Sequence, residues 1–312
     1  MATPRPFRFG VDLQASLPGR SFADSARELE ALGYSTAFVP DHFDEGLGPI
    51  TAMATAAAAT TTLNIGSLVL DCDFRHPAVL ARELASIDML SEGRLEVGLG
   101  AGWKRLDYER SGITMDPPKV RVDRLIEHTR ILKGLFGDGP FSFAGEHYTI
   151  TDLDGTPSPH RPGGPPILLA GGAKRVLTFA GEVADIVGVN ASIHSGAIDT
   201  DAAKDSLADR FDQKVGWVRD GAGPRFDDIE INAWIAIASV TDDGAAVAES
   251  VAPLYETDSA SVRSSPLTLI GSVTEIGEML EERRARWGYS YIVLTGAQAH
   301  ELAPVVAALT GK

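Results

Sequence analysis

The chain has 312 residues, 44% hydrophobic and 23% charged, a composition that argues for a folded globular protein and against disorder or a coiled coil. Its 28 basic and 43 acidic residues leave a formal net charge of −15, which repels phosphate backbones and anionic lipid and so disfavours nucleic acid and membrane surfaces as partners. Cys72 is the single cysteine, too few for an internal disulfide or a clustered-thiolate metal centre, and no run approaches the ~18 apolar residues of a spanning helix. The N-terminal stretch MATPRPFRFGVDLQ has no apolar leader region, so a cytoplasmic location is expected.

In chain order, β-rich runs are expected at about 7–13, 36–41, 64–70, 94–100, 166–171, 184–189, 229–240 and 289–295. Most are followed by an amphipathic helical stretch, the alternation of a parallel sheet, and eight is the number that closes a barrel. Ser21 caps the segment from Phe22, whose apolar positions Phe22, Ala26, Leu29 and Leu32 keep a helical period before Gly33 stops it. A second helix runs over 77–92 from Pro77 to Gly93. A third runs over 272–287, where Ser272 and Glu275 fit a capping box and Gly288 ends it.

Two intervals exceed a simple crossover. Residues 103–165 hold a charged helix near 118–136, a hairpin at 141–151 and a Pro/Gly-rich run at 156–166; residues 241–271 hold another helix and a polar stretch. Both follow a strand's C-terminal end and are expected to rise over the face that carries function in such barrels. The expected architecture is an α/β fold, a (β/α)8 TIM barrel forming one domain with insertions at its C-terminal face.

Polar residues at the strand tips are therefore the candidates for chemistry. The second strand ends in Pro40-Asp41-His42-Phe43, an acid and an imidazole suited to holding a cofactor edge and moving a proton; the plain alternative is a loop cap and a surface imidazole. The Gly66-Ser67 pair inside the third strand signals a bulge, the approach of a ligand or a packing need. Beyond it, Asp71, Asp73, Arg75 and His76 read as an ion-pair cluster, and no metal site is expected.

The fourth strand ends in Gly98-Leu99-Gly100-Ala101-Gly102-Trp103, which lacks the full dinucleotide fingerprint and fits a backbone kept bare for a flat ring with Trp103 as a wall. After the fifth strand, Gly171, Gly172 and Ala173 precede a helix whose unpaired first amides form the best phosphate site in the chain. Lys174 and Arg175 either strengthen it or are solvated. His194 is a candidate substrate contact. Arg121, Arg124 and Glu127 are expected to anchor their helix by ion pairs, and Asp107, Tyr108 and Glu109 read as solvated helix positions, with an acid–base role as the alternative.

Other barrel chemistries lack their residues. The first strand carries no HxH for an amidohydrolase metal centre, no lysine lies in the expected strands for Schiff-base work, and no glutamate pair marks a retaining glycosidase.

PDHF after the second strand, SLVLDCDFRHPAVLARELASIDMLSEGRLEVGLGAGW across the third and fourth, and LLAGGAKR after the fifth together resemble the bacterial luciferase-like monooxygenase superfamily. The likeness is closer to the branch that uses the deazaflavin coenzyme F420, and it runs from about residue 7 to 296. It implies a tricyclic ring at the barrel mouth, with Asp41 and His42 beside it and a non-proline cis peptide at Ser67-Leu68 forming a bulge behind it. It further implies that Gly100, Ala101, Gly102 and Trp103 border the ring and that Gly171, Gly172 and Ala173 hold the phosphate. His42 is the expected catalytic residue.

Sugar-phosphate dehydrogenases of that branch have a tryptophan where this chain has Gly46 and an acid where it has Trp103, which sets this chain apart from them. The resemblance implies an F420-dependent oxidoreductase acting on a small organic substrate, a homodimer, and a flavin or F420 reductase as indirect partner. The alternatives are an FMN-dependent two-component monooxygenase, a catalytically silent flavin- or deazaflavin-binding protein, and a nicotinamide enzyme with an open sheet.

Overall fold

The computed structural model describes residues 4–312 apart from Glu45, His194 and Ala197. Its strands are β1 (Arg8–Asp12), β2 (Thr36–Val39), β3 (Asn64–Ser67), β4 (Leu70–Asp71), β5 (Leu95–Gly100), β6 (Pro140–Ala144), β7 (Thr149–Asp154), β8 (Ile167–Gly171), β9 (Ile186–Val189), β10 (Glu230–Trp234), β11 (Ile237–Val240), β12 (Thr268–Gly271) and β13 (Tyr289–Thr295). Nine of them form one parallel sheet in the order β3-β2-β1-β13-β10-β9-β8-β5-β4, and pairing of β3 with β5 closes it. Because β3 and β4 are two halves of one interrupted stave, the cylinder has eight staves with helices outside. The expected (β/α)8 barrel is the observed fold, and the open-sheet alternative is excluded.

Register locates the interruption. Gly66 pairs with Glu96, but Leu70 pairs with Leu99, so the β3–β4 stave carries one extra residue at 68–69. The cis peptide lies there, between Leu68 and Val69 rather than at the expected Ser67-Leu68 bond. The Leu68 N–H still donates to Val39 O at 3.1 Å, so the Ser67-Leu68 peptide remains in the ladder and the chain departs from it only afterwards.

The expected seventh strand over 229–240 is two strands. Ile235 N–H still bonds Val293 O in the barrel, whereas Ala236 N–H turns to Leu267 O, and β11 pairs in parallel with β12 outside the cylinder. A run of β-forming residues carries no mark of where the hydrogen-bonding partner changes.

Inside the cylinder, Phe38, Leu168, Ile186, Tyr291 and Val293 form a closed core. A Cβ on Gly10 or Gly66 would lie 2.9 or 2.6 Å from the Phe38 ring, so the glycine of the Gly-Ser pair answers a packing need. Below this layer, at the N-terminal strand ends, Arg8 reaches Glu96 at 2.5 Å and Glu230 at 2.5 Å, with its guanidinium 3.5 Å from the Tyr291 ring centre. Above it, Asp12, Leu68, Val69, Ala170 and Trp234 are only half-buried although they stand over the barrel interior, so solvent reaches the floor of the C-terminal mouth.

The helix signals form as expected. Ser21 Oγ accepts the Asp24 N–H at the start of Phe22–Ala31, Pro77 opens Pro77–Leu90, and the Ser272–Glu275 capping box starts Val273–Trp287 before left-handed Gly288 ends it.

The two insertions differ from each other. Helix Arg105–Ser111 stands at the mouth and Pro118–Leu135 packs on Pro77–Leu90, but residues 156–166 run beneath the barrel: Arg161 N–H bonds Asp88, and His160 fills the space beside Gly93 just before β5. The long connection thus divides between both ends of the cylinder, because β8 must start again from the bottom. Residues 241–271 follow β11 past the rim and are tied to the loop after β9 by Ser265 Oγ on Ser206 O. No helix among the described residues is long and apolar enough to cross a membrane.

Candidate active site

His42 follows β2 and enters the mouth half-buried. Its Nδ1 lies 2.6 Å from Asp107 Oδ2, and Asp107 Oδ1 also accepts the Phe43 N–H at 3.2 Å. A carboxylate is an acceptor, so Nδ1 faces Asp107 as the donor, and Nε2 on the other side of the ring has no partner among the described residues. The Trp103 ring meets the imidazole edge-on at 5.5 Å and restricts its rotation.

Asp107 was expected to be a solvated helix position. Instead helix Arg105–Ser111 turns it inward to 4% exposure and Tyr108 to 1%, leaving only Glu109 of the three exposed. The Tyr108 hydroxyl lies 2.8 Å from Asp71 and 3.0 Å from Asp73. One turn of helix thus supplies a partner to His42 and another to the acids at and just past the end of β4. An i, i+1 pair of buried polar residues on a seven-residue helix leaves no periodic signal.

Several expected ring contacts have partners within the chain. Asp41 is buried: Arg75 binds both its oxygens, at 2.5 and 3.2 Å, and the Asp71 N–H reaches Oδ2. Ser67 is fully buried, its Oγ donating to Gly98 O and accepting the Gly98 N–H, both at 2.9 Å. Both side chains therefore build the wall rather than face the opening. Of the bulge residues, Leu68 and Val69 are half-buried and line the floor.

The strand-end glycines are each packed against the chain's own atoms. A Cβ on Gly100 would lie 2.5 Å from Val69, on Gly102 1.9 Å from the Tyr108 hydroxyl, on Gly171 2.8 Å from Val176 and on Gly172 2.5 Å from the Ala191–Ser192 backbone. Each is filled by this chain's own atoms, and Gly102 also needs φ +71°. Their role is to let side chains and neighbouring loops close around the mouth. Ala101, Gly102 and Trp103 are half-exposed, and Arg121 holds the Ala101 and Gly102 carbonyls in place.

Helix Lys174–Val183 starts at Ala173 without a side-chain cap, so its first amides have no side-chain partner there. Arg175 is turned to Asp123 and Lys119 O and does not reinforce that end; Lys174 is exposed. Of the three residues expected to anchor Pro118–Leu135, Arg124 does so by ion pairs to Asp73 and Asp116, at 2.8 and 2.7 Å. Arg121 and Glu127 bind backbone groups instead, Glu127 accepting the amides of Glu146, His147 and Tyr148. His194 lies outside the described residues.

Sequence reading passed over three mouth residues. Asp12 ends β1, with Oδ2 3.0 Å from Trp234 Nε1 and Oδ1 shielded and without a partner; Asn190 after β9 likewise has a shielded, unpartnered Oδ1. The strand-tip rule that singled out His42 applies equally to Asp12. Trp234 was hidden by the unbroken strand expected over 229–240.

Burial pushes the Asp71 carboxyl up to about 7, helped by the charges of Asp73 and Asp41 and opposed by the Asp73 amide and Tyr108 hydroxyl. The folded chain therefore binds a proton that the unfolded chain has lost, and Asp71's contribution to stability, full below about pH 4, disappears as the pH rises to about 7. Asp71→Asn is expected to match the wild type at about pH 4 and exceed it by roughly 2–4 kcal/mol at about pH 8. Urea unfolding at both pH values checks this, and a difference that does not change with pH would contradict it.

The chain is similar over 298 residues to a pyrimidine monooxygenase (RutA) of Escherichia coli strain SE11, at 30% identity covering 88% of this chain and 75% of that protein. A pyrimidine monooxygenase of Enterobacter sp. strain 638 is 28% identical over 88% of this chain and 79% of its own. Among solved structures, the coenzyme F420-dependent tetrahydromethanopterin reductase of Methanopyrus kandleri superposes with a TM-score of 0.74 at 18% identity, covering 97% of each chain. An F420-dependent secondary alcohol dehydrogenase gives 0.72 at 18% over 98% and 99%, and a long-chain alkane monooxygenase 0.73 at 13% over 98% and 92%. The model of the luciferase-like monooxygenases matches residues 3–288, and with an eight-stave barrel whose mouth carries a fixed imidazole, this chain belongs to that family.

Proposed function

We propose that the chain is an F420-dependent oxidoreductase acting on a small organic substrate at the barrel mouth. The observation that carries this is the free Nε2 of His42, fixed by Asp107 above an open floor of half-buried side chains. Unpartnered acceptors on Asp12 and Asn190 and the uncapped amides after Ala173 suit a flat polar ring with an anionic tail.

Leu68, Val69, Ala101, Gly102 and Trp103 would border such a ring, and the amides after Ala173 would hold its phosphate. A bound deazaflavin supplies a carbon that accepts or returns a hydride and is a poor activator of oxygen. The chain's own part is proton handling and exclusion of water. His42 Nε2 takes the substrate proton or returns it, Asp107 stabilises the imidazolium, and Trp103 keeps the ring plane in place.

A second reading is an FMN-dependent monooxygenase served by a flavin reductase, favoured by the 30% identity to a pyrimidine monooxygenase. Fluorescence-quenching titrations with F420 and FMN separately, with oxygen uptake measured on reduced FMN, decide between them. Saturable F420 binding without oxygen uptake is expected. FMN binding with uptake would replace the first reading by the second, and binding of neither would remove both.

A further inference from the structure

Asp12 stands at the tip of β1 with Oδ2 held 3.0 Å from the Trp234 indole nitrogen, while Oδ1 is shielded from solvent and has no hydrogen-bond partner. A buried polar atom left without a partner costs about 1–3 kcal/mol, more when charged. Its cost is relieved by a proton or by a donor from outside the chain. Around Asp12 lie Phe38 on β2, Thr295 on β13 and Trp234 on β10; His42, after β2, is the titratable group that acts on it.

Burial pushes the carboxyl up to about 6, against the pull of the Trp234 hydrogen bond and of the His42 charge. Such a group is present in both forms near neutrality, where proton transfer in either direction is efficient.

We propose that Asp12 is a second acid–base residue of the mouth, taking the proton of an N–H or O–H group on the bound molecule through Oδ1 while Trp234 holds Oδ2. The N–H or O–H bond breaks, the Oδ1–H bond forms, and the electron pair stays on the bound nitrogen or oxygen. The proton passes to water when the molecule leaves. The inference rests on the mouth being the ring and substrate site. It assigns the bound partner a class: a small molecule presenting a donor group to the β1–β10 side, since an anionic end there would face the carboxylate.

The two groups are held differently. A carboxylate fixes the imidazole, and an indole fixes the carboxylate, so the mouth keeps one proton acceptor on each side.

The test has two arms. The Trp234 indole N–H resonance, assigned with Trp234→Phe, is followed between about pH 4.5 and 8 in the ligand-free wild type and in Asp12→Asn, a range centred on the near-neutral acid–base window. Riboflavin binding is then followed by quenching over the same range in both proteins; riboflavin lacks the phosphate whose second ionisation near 6 would overlap.

The indole signal is expected to shift with a midpoint of about 6 in the wild type and stay level in Asp12→Asn. Riboflavin, whose ring offers an imide N–H, is expected to bind about tenfold more weakly at pH 5 than at pH 7, the fall in ionised fraction of such a group. Asp12→Asn is expected to lose that drop and His42→Gln to keep it. An immobile Trp234 signal, or an equal drop in Asp12→Asn, would overturn the assignment. Absence of quenching by riboflavin, F420 and FMN at every pH would instead overturn the ring reading, and the indole arm would still decide the charge of Asp12.

Discussion

Turnover of His42→Ala is expected to fall by roughly 10²–10⁴-fold, the usual contribution of a positioned acid–base group, with ring affinity changed by no more than several-fold. The asymmetry follows from the geometry. His42 offers a bound molecule one free nitrogen, whereas the walls and floor belong to Leu68, Val69, Ala101, Gly102 and Trp103, which the substitution leaves in place. Asp107 keeps the Phe43 N–H as a partner, so the loss of the imidazole does not strand both carboxylate oxygens. Added imidazole is expected to restore part of the turnover by refilling the space beside Asp107, a rescue that a purely structural role would not give. Steady-state turnover and quenching titrations on the same preparation check both halves. Ordinary turnover in the variant would remove His42 from the mechanism.

The barrel was legible because most of the eight short β-forming runs precede a helical period, and both signals are local. Its exceptions are places where partner choice decides the structure. Nothing in 229–240 marks the switch at Ala236 from β13 to Leu267, just before β12, since isoleucines and alanines alternate on both sides of the change. The same limit displaced the cis peptide by one residue: the extra residue is visible only in the register between two strands.

At the site, position along the strands was informative and residue chemistry less so. The strand-tip rule singles out His42 and Asp41 alike and gives no reason to prefer either, although Arg75 binds Asp41 through both oxygens. Glycines carried the least information. Bare backbone reads the same whether it makes room for a ligand or for Val69, Tyr108 and Val176, and only the three-dimensional contacts separate the two. Asp107 was illegible for a related reason: a carboxylate on a short charged helix looks solvated until the loop after β2 is folded onto it.

Arg8→Ala is expected to destabilise the fold by about 3–5 kcal/mol without altering the mouth. At the N-terminal end of the barrel this guanidinium neutralises Glu96 and Glu230, whose side chains are 4% and 13% exposed, and covers the Tyr291 ring. Removing it leaves two largely buried carboxylates without their shared cation, and that repulsion and desolvation exceed the loss of packing. Replacing all three charges together by Arg8→Met, Glu96→Leu and Glu230→Met is therefore expected to cost less than the single change, because no buried charge then lacks a counter-charge. Urea unfolding of the single and triple variants measures this. Equal losses in both would mean that the network acts through volume rather than charge. Since these residues occupy the opposite end of the cylinder from His42, ring affinity of the folded fraction is expected to stay at the wild-type value, which separates the stave-closing role of this end from the chemistry of the other.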